Sequence, residues 1–159
     1  MGYIENLRQQ VGHQKLIMAG IRAIMRDDAG RVLLQQRSDF RTWGLPAGSM
    51  ELDESIWDAL CREVHEETGL TVIKARPYGI YSNPKYSTTY PNGDQAQPFT
   101  VAFVVEEWSG TPVPDGDESL QLEFFPLDAL PPAENMHPPH RTALQDLHRY
   151  LETGEIVVD

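Results

Sequence analysis

The sequence predicts an α/β domain built on a mixed β-sheet with helices covering its faces. Three observations carry this expectation: strand-like runs alternate with segments of helical spacing, hairpin-type turn signals separate several runs, and one acidic helix lies between two sets of strands. Hairpins favour a mixed sheet over a purely parallel one. With 159 residues and 40% hydrophobic composition, the chain suits one globular domain and is short for two.

Tyr3, Ile4, Leu7 and Val11 follow helical spacing, so residues 1–13 read as a short helical extension of a single domain spanning 1–159. It docks on the domain or on a second copy of the chain, which makes a homodimer one expectation. Residues 16–25 are apolar and strand-like, and Val32, Leu33 and Leu34 mark a second strand at 31–37. Asp27, Asp28, Ala29 and Gly30 form a hairpin turn between them, so the two strands are expected to pair antiparallel.

The Gly- and Pro-containing segment 43–48 is a shaped loop that delivers the chain to a helix at about 54–68. Asp53 is the expected N-cap, Glu54 sits in the first turn and Gly69 is the stop. Residues 71–81 read as a strand that Pro77 limits to a sheet edge or an irregularity. The polar stretch 82–97 holds Tyr86, Tyr90 and the turn Pro91-Asn92-Gly93-Asp94, and leads to a buried strand at 99–108, making a long hairpin whose arm borders a pocket. Leu120, Leu122 and Phe124 alternate in a further strand, and Leu144, Leu147 and Leu151 keep helical spacing in a C-terminal helix packed on the sheet.

The formal charge of −11 argues against a stable complex with nucleic acid or an anionic membrane, since those partners require clustered Lys and Arg. No apolar run is long enough to span a bilayer, and the first residues lack the order of a signal peptide, so the cytoplasm is the expected compartment. The single cysteine, Cys61, forms no intramolecular disulfide and reads as a small residue packed near the helix seam.

Chemistry concentrates in residues 48–70. On a helix, Glu63, Glu66 and Glu67 converge on one face while Ile56, Leu60 and Val64 line another. Like charges at i, i+4 cost roughly 0.2–0.5 kcal/mol, and acids near a helix C-terminus oppose the macrodipole. A helix selected for stability alone would avoid this pattern. Its natural relief is a divalent cation with oxygen ligands, which would also let a phosphate-bearing substrate approach an acidic protein.

The stretch resembles the Nudix box, Gly-x5-Glu-x7-Arg-Glu-U-x-Glu-Glu-x-Gly-U with U apolar: Gly48, Glu54, Arg62, Glu63, Val64, Glu66, Glu67, Gly69 and Leu70 match every specified position. The resemblance implies a Nudix-type α/β/α sandwich and hydrolysis of a nucleoside diphosphate linked to another moiety, with Mg²⁺ or Mn²⁺ holding the pyrophosphate. It makes Glu63, Glu66 and Glu67 the metal-binding and base-supplying set, with Glu63 or Glu66 as general base. It gives Arg62 the task of orienting carboxylates, Glu66 or Glu54 among them, and leaves Glu54 supporting the ligands.

Members often add an acid from a later loop, and Glu118 is the best candidate, with Asp117 and Glu123 as competitors. Arg37 resembles a position that contacts substrate phosphate or sugar. Tyr86 falls where dinucleoside polyphosphate hydrolases often carry a tyrosine, and packing on the hairpin is its alternative role. Ala47 departs from the glycine that many members place before Gly48. His65 is expected to be exposed or packed, His137, His140 and His148 lack a ligand pattern, and Trp43 and Trp57 are expected to pack. The substrate classes implied are nucleoside triphosphates, ADP-ribose-like compounds and dinucleoside polyphosphates; a nucleotide-binding or regulatory module without turnover is the rival.

Overall fold

Two β-sheets lie between helices in the computed structural model, which describes residues 2–159. Among the described residues the order is α1 (Tyr3–Val11), β1 (Leu16–Met25), β2 (Val32–Arg37), β3 (Trp43–Gly44), β4 (Ala47–Ser49), α2 (Ile56–Thr68), β5 (Thr71–Tyr81), β6 (Thr88–Thr89), β7 (Gln95–Ser109), β8 (Ser119–Phe125), α3 (Pro138–Thr153) and β9 (Val157–Val158). The larger, mixed sheet runs β4-β1-β7-β5-β9, with β6 on β7; the smaller, antiparallel one runs β3-β2-β8.

Strand alternation divides the core into two. Ile21, Ala23 and Met25 of β1, Leu33 of β2, and Phe103 and Val105 of β7 pack with Ala59, Leu60 and Val64 of α2. The intervening Ile24, Val32, Leu34, Ala102 and Val104 pack with Ala143, Leu144 and Leu147 of α3. Each helix thus buries one apolar stripe against one face of the sheets, giving the α/β/α sandwich. Leu151, expected on the buried stripe of α3, is 48% exposed, because the stripe instead begins earlier, with His140 and Ala143.

The turn at 27–30 forms, with the Gly30 N–H donating to the Asp27 carbonyl at 2.8 Å, yet β1 and β2 do not make a paired hairpin. Past one antiparallel bridge, Arg26 to Val32, they diverge into different sheets. β1 pairs in parallel with β7 over its whole length, from Leu16 opposite Ala96 to Met25 opposite Val105, while β2 pairs with β8. Both strands are apolar on two faces, and each gains more burial inside its own sheet than as an isolated hairpin. The 82–97 segment does form a hairpin, with β6 antiparallel to β7. Pro77 falls at a register shift between β5 and β7.

The helix carrying the acids starts one turn detail later than expected. Ser55, not Asp53, is the N-cap, its hydroxyl accepting the Asp58 N–H at 3.1 Å. Asp53 has φ +60° in the preceding loop, and Glu54 lies before the helix rather than in its first turn. Gly69 ends the helix at φ +71°, where a Cβ would be strained, and donates its N–H to the His65 carbonyl at 2.8 Å. α1 rests on its own domain through polar ties: the Tyr3 N–H donates to Glu51 at 2.7 Å and Arg8 to the Gln95 carbonyl at 2.7 Å.

Moving the cap has a measurable consequence. Ser55→Ala is expected to cost about 1 kcal/mol, the ordinary value of an N-cap, while Asp53→Ala, apart from its strained φ, removes no cap. Urea denaturation of both variants measures the difference; equal losses from a cap interaction at Asp53 would contradict the assignment.

Candidate active site

β4 aims the site. Its residues Ala47, Gly48 and Ser49 pair antiparallel with Arg22, Ile21 and Gly20 of β1, which locks the loop ahead of α2 to the central sheet. A Cβ on Gly48 would fall inside the Glu63 carboxylate. The glycine is therefore required by close approach of an acid, whatever its backbone angles.

Arg62 uses all five of its N–H donors here. Nε and Nη2 grip Glu54 at 2.7 and 2.9 Å, Nη1 reaches Glu63 at 2.8 Å and Glu66 at 3.0 Å, and Nη2 also donates to the Ser49 carbonyl at 2.9 Å. Glu54 further accepts the Glu51 N–H at 2.9 Å, so both of its oxygens are engaged in holding the loop and Arg62. Its place is thus to hold Arg62 and the loop in position. These contacts raise the Arg62 pKa, with the Glu54 pair the largest cause.

The three box acids differ in depth. Glu66 is exposed, Glu63 is buried at 9% accessibility, and Glu67 is 3% accessible. Burial raises the Glu63 pKa against the opposing pull of Arg62. Glu67 turns inward, accepting the Ala47 N–H at 2.9 Å; burial pushes its carboxyl up to about 8, although hydrogen bonds from Gln35 and Ala47 favour the charged form.

Arg37, Glu63, Glu66, Arg62, Gly48 and Glu118 line one cleft, with Ile4, Glu5 and Arg8 of α1 on its rim. Glu67 opens onto an adjoining recess that shares Arg37 and Glu118. Arg37 makes a two-pronged pair with Asp39, at 2.9 and 2.6 Å, and lies over the Phe40 ring. Glu118 is on the loop before β8, its carbonyl accepting the Ser38 N–H at 3.0 Å. Asp117 is on the same loop, and Glu123 lies exposed on β8.

Tyr86 stands apart from the acids. Its hydroxyl donates to Asp159 at 2.6 Å and its ring meets Tyr81 edge-on, while the residue lines a chamber next to the cleft. Gly69 is at the far end of α2 and has a purely structural place. His65 is exposed, Trp57 is 40% exposed, and Trp43 packs edge-to-face on Phe125 at 4.9 Å. Two residues given no site role from the sequence belong to the neighbourhood: Arg22, the one charge in the apolar run of β1, and His140, which accepts the Leu45 N–H at Nδ1 at 2.8 Å. The isolated charge was the available signal for Arg22; nothing local marked His140.

The donor chemistry fits a hard divalent cation, because Glu63, Glu66, Glu67 and Glu118 offer only carboxylate oxygens. Among the described residues, however, no three such side chains already stand together as a cage. Arg62 is instead the cation that pairs with Glu63 and Glu66 here.

Residues 17–147 match the family model of the NUDIX domain. The chain therefore belongs to the Nudix family. It is 44% identical over 66 residues to a MutT-like protein of Streptomyces ambofaciens, covering 42% of this chain and 41% of that one, so it spans about two fifths of that relative's length. It is 31% identical to an 8-oxo-dGTP diphosphatase of Haemophilus influenzae, covering 86% of this chain and 98% of the relative. Among solved structures, a MutT NUDIX hydrolase from Burkholderia pseudomallei superposes with a TM-score of 0.69 at 27% identity, covering 83% and 98% of the two chains. An ADP-ribose pyrophosphatase from Streptococcus suis superposes with a TM-score of 0.61 at 25% identity, covering 89% and 98%.

Two outcomes follow from the packing of the acids. The folded protein holds the Glu67 proton up to about pH 8, whereas the unfolded chain releases it near 4.5, so this group's contribution to stability falls as pH rises between those values. In chelator-containing buffer, the stability of the wild type minus that of Glu67→Gln should decline across that window; a rising difference would contradict the buried carboxyl. Gly48→Ala should lower stability by about 1–3 kcal/mol through overpacking against Glu63, measured by urea denaturation.

Proposed function

We propose that the cleft hydrolyses a phosphoric anhydride in a nucleoside diphosphate linked to another moiety, with Mg²⁺ or Mn²⁺ as cofactor and water as the attacking group. The observation that carries this reading is Arg62 holding Glu54, Glu63 and Glu66 against the Gly48 loop while Glu67 lies buried beside them. A bound divalent cation supplies charge neutralisation for the pyrophosphate and lowers the pKa of the attacking water. Glu63, Glu66 and Glu67 would hold it, and Glu118 faces them from the later loop.

This chain's own residues do the rest. Glu63 or Glu66 accepts the proton of the attacking water, a task suited to a carboxylate lining the cleft. Arg62 fixes the orientation of both acids, and Gly48 leaves room for Glu63. Arg37 offers a guanidinium at the cleft wall for a phosphoryl oxygen, a geometry to which its planar fork is suited. Tyr86 contributes a ring surface, since its hydroxyl is committed to Asp159.

Nucleoside triphosphates are the first substrates to test, given the relative described as an 8-oxo-dGTP diphosphatase; ADP-ribose-like compounds and dinucleoside polyphosphates complete the panel. The set of acids favours turnover over a binding module without it. With Mg²⁺ or Mn²⁺, at least one substrate class should be cleaved at its pyrophosphate, and Glu66→Gln or Glu67→Gln should lower turnover by orders of magnitude while circular dichroism stays unchanged. Near-normal turnover in both variants would remove the proposed site, and an absence of millimolar cation binding would remove the cofactor.

A further inference from the structure

Next to the acid cleft lies a chamber of opposite character. It shares Arg37, Gly48 and Tyr90 with the cleft but is lined by no Asp or Glu among the described residues, in a chain of net charge −11. Its distinctive member is Arg22. On the α3-facing side of β1, between Gly20 and Ile24, this arginine is only 5% accessible. Its Nη1 donates to the Pro139 carbonyl at 3.2 Å and its guanidinium lies 5.6 Å from the centre of the Tyr81 ring. Among the described residues no carboxylate pairs with it, and its buried Nε has no hydrogen-bond partner.

A buried guanidinium without a carboxylate is costly unless acceptors complete its hydrogen bonds. His140 adds a second donor. Its Nδ1 accepts from the Leu45 N–H, and burial holds its pKa well below the ordinary value, so the neutral ring carries its proton on Nε2. The chamber therefore presents unmatched donors at Arg22 and His140 and no carboxylate, and a ligand that meets both supplies acceptors.

The surroundings choose between an anion and a planar base. The N-terminus of α3 borders the chamber, the usual place for a phosphoryl group, but Pro138 and Pro139 have no N–H and the His140 N–H donates to the His137 carbonyl at 3.0 Å. No backbone donors remain in that first turn for an anion. Among the other walls Tyr86, Tyr90, His137 and Pro98 present rings, as a planar ligand requires, with the hydroxyl-bearing Thr88 and Thr100 beside them. An arginine fork donates in parallel to two adjacent acceptors, which guanine offers at O6 and N7 and cytosine at O2 and N3. Adenine and uracil place a donor beside each acceptor on the corresponding edges.

We propose that this chamber is the base-reading subsite of the cleft and that Arg22 selects nucleotides carrying guanine or cytosine over those carrying adenine or uracil. The proposal rests on the reading that the cleft takes a nucleotide substrate.

The test uses the full chain in two measurements. The first compares kcat/KM for GTP, CTP, ATP and UTP with Mg²⁺; the second measures binding of the four nucleoside monophosphates by calorimetry in chelator, with no hydrolysis required. GTP or CTP should exceed both ATP and UTP by about tenfold or more, and the monophosphates should follow the same order. Arg22→Lys, which keeps the charge and loses the fork, should reduce the discrimination to about twofold. Arg22→Met should do the same while melting no lower than the wild type, which separates lost recognition from lost folding.

Equal use of the four bases, or preference for adenine, overturns the subsite even if all are hydrolysed, leaving the hydrolase reading intact. Discrimination that survives in Arg22→Lys overturns the role of the fork. Inorganic phosphate that displaces a monophosphate from the wild type, but binds Arg22→Met poorly, assigns the chamber to an anion and overturns the base. Ordered monophosphate binding without hydrolysis of any nucleotide would support the subsite and count against the hydrolase.

Discussion

The side chain on which the site depends is Arg62, because four separate carboxylate contacts and one carbonyl contact meet on its guanidinium. Acids at 54, 63 and 66 would repel one another if brought together without it. The same group ties the loop after β4 to α2 through Ser49, so charge balance and loop position are a single interaction. Its partly buried setting makes these charge-assisted bonds stronger than surface pairs. The helix itself is held from behind by Leu60 and Val64 in the α2-facing core.

Depth then differentiates chemically identical residues. Glu66 is open to solvent, Glu63 lies where Gly48 leaves space for its carboxylate, and Glu67 is enclosed with its oxygen on the Ala47 N–H. Burial raises the proton affinity of Glu63 and Glu67 on that helix, a consequence of desolvation rather than of residue type. The chamber around Arg22 continues the same logic with the sign reversed: the acids and the unpaired guanidinium occupy neighbouring spaces divided by the Ala47–Ser49 strand.

Much of this was legible because it is local. Helical spacing placed Glu66 one turn from Arg62, and the apolar stripe of α2 follows from the same period, whereas the contact of Arg62 with its neighbour Glu63 is seen only in the structure. The ends of α2 were half legible. Gly69 was readable as a stop, but Asp53 and Ser55 are both good caps, and only the loop path, which leaves Asp53 at φ +60°, separates them. The hairpin turn at 27–30 was readable, whereas the divergence of β1 and β2 was not, since it depends on β7 and β8 being available as better partners far along the chain.

The sequence by itself determined the family, the acidic helix and the chemistry its residue types allow, because these depend on residue identity and on spacings of a few positions. Tertiary structure decided which acid is buried, that Glu54 is committed to Arg62, that the Tyr86 hydroxyl is taken by Asp159, and that Arg22 and His140 meet in one chamber. Those outcomes depend on burial and on contacts between residues as far apart as β1 and α3. Solvent exclusion and long-range pairing arise only when the sheets and helices close over one another.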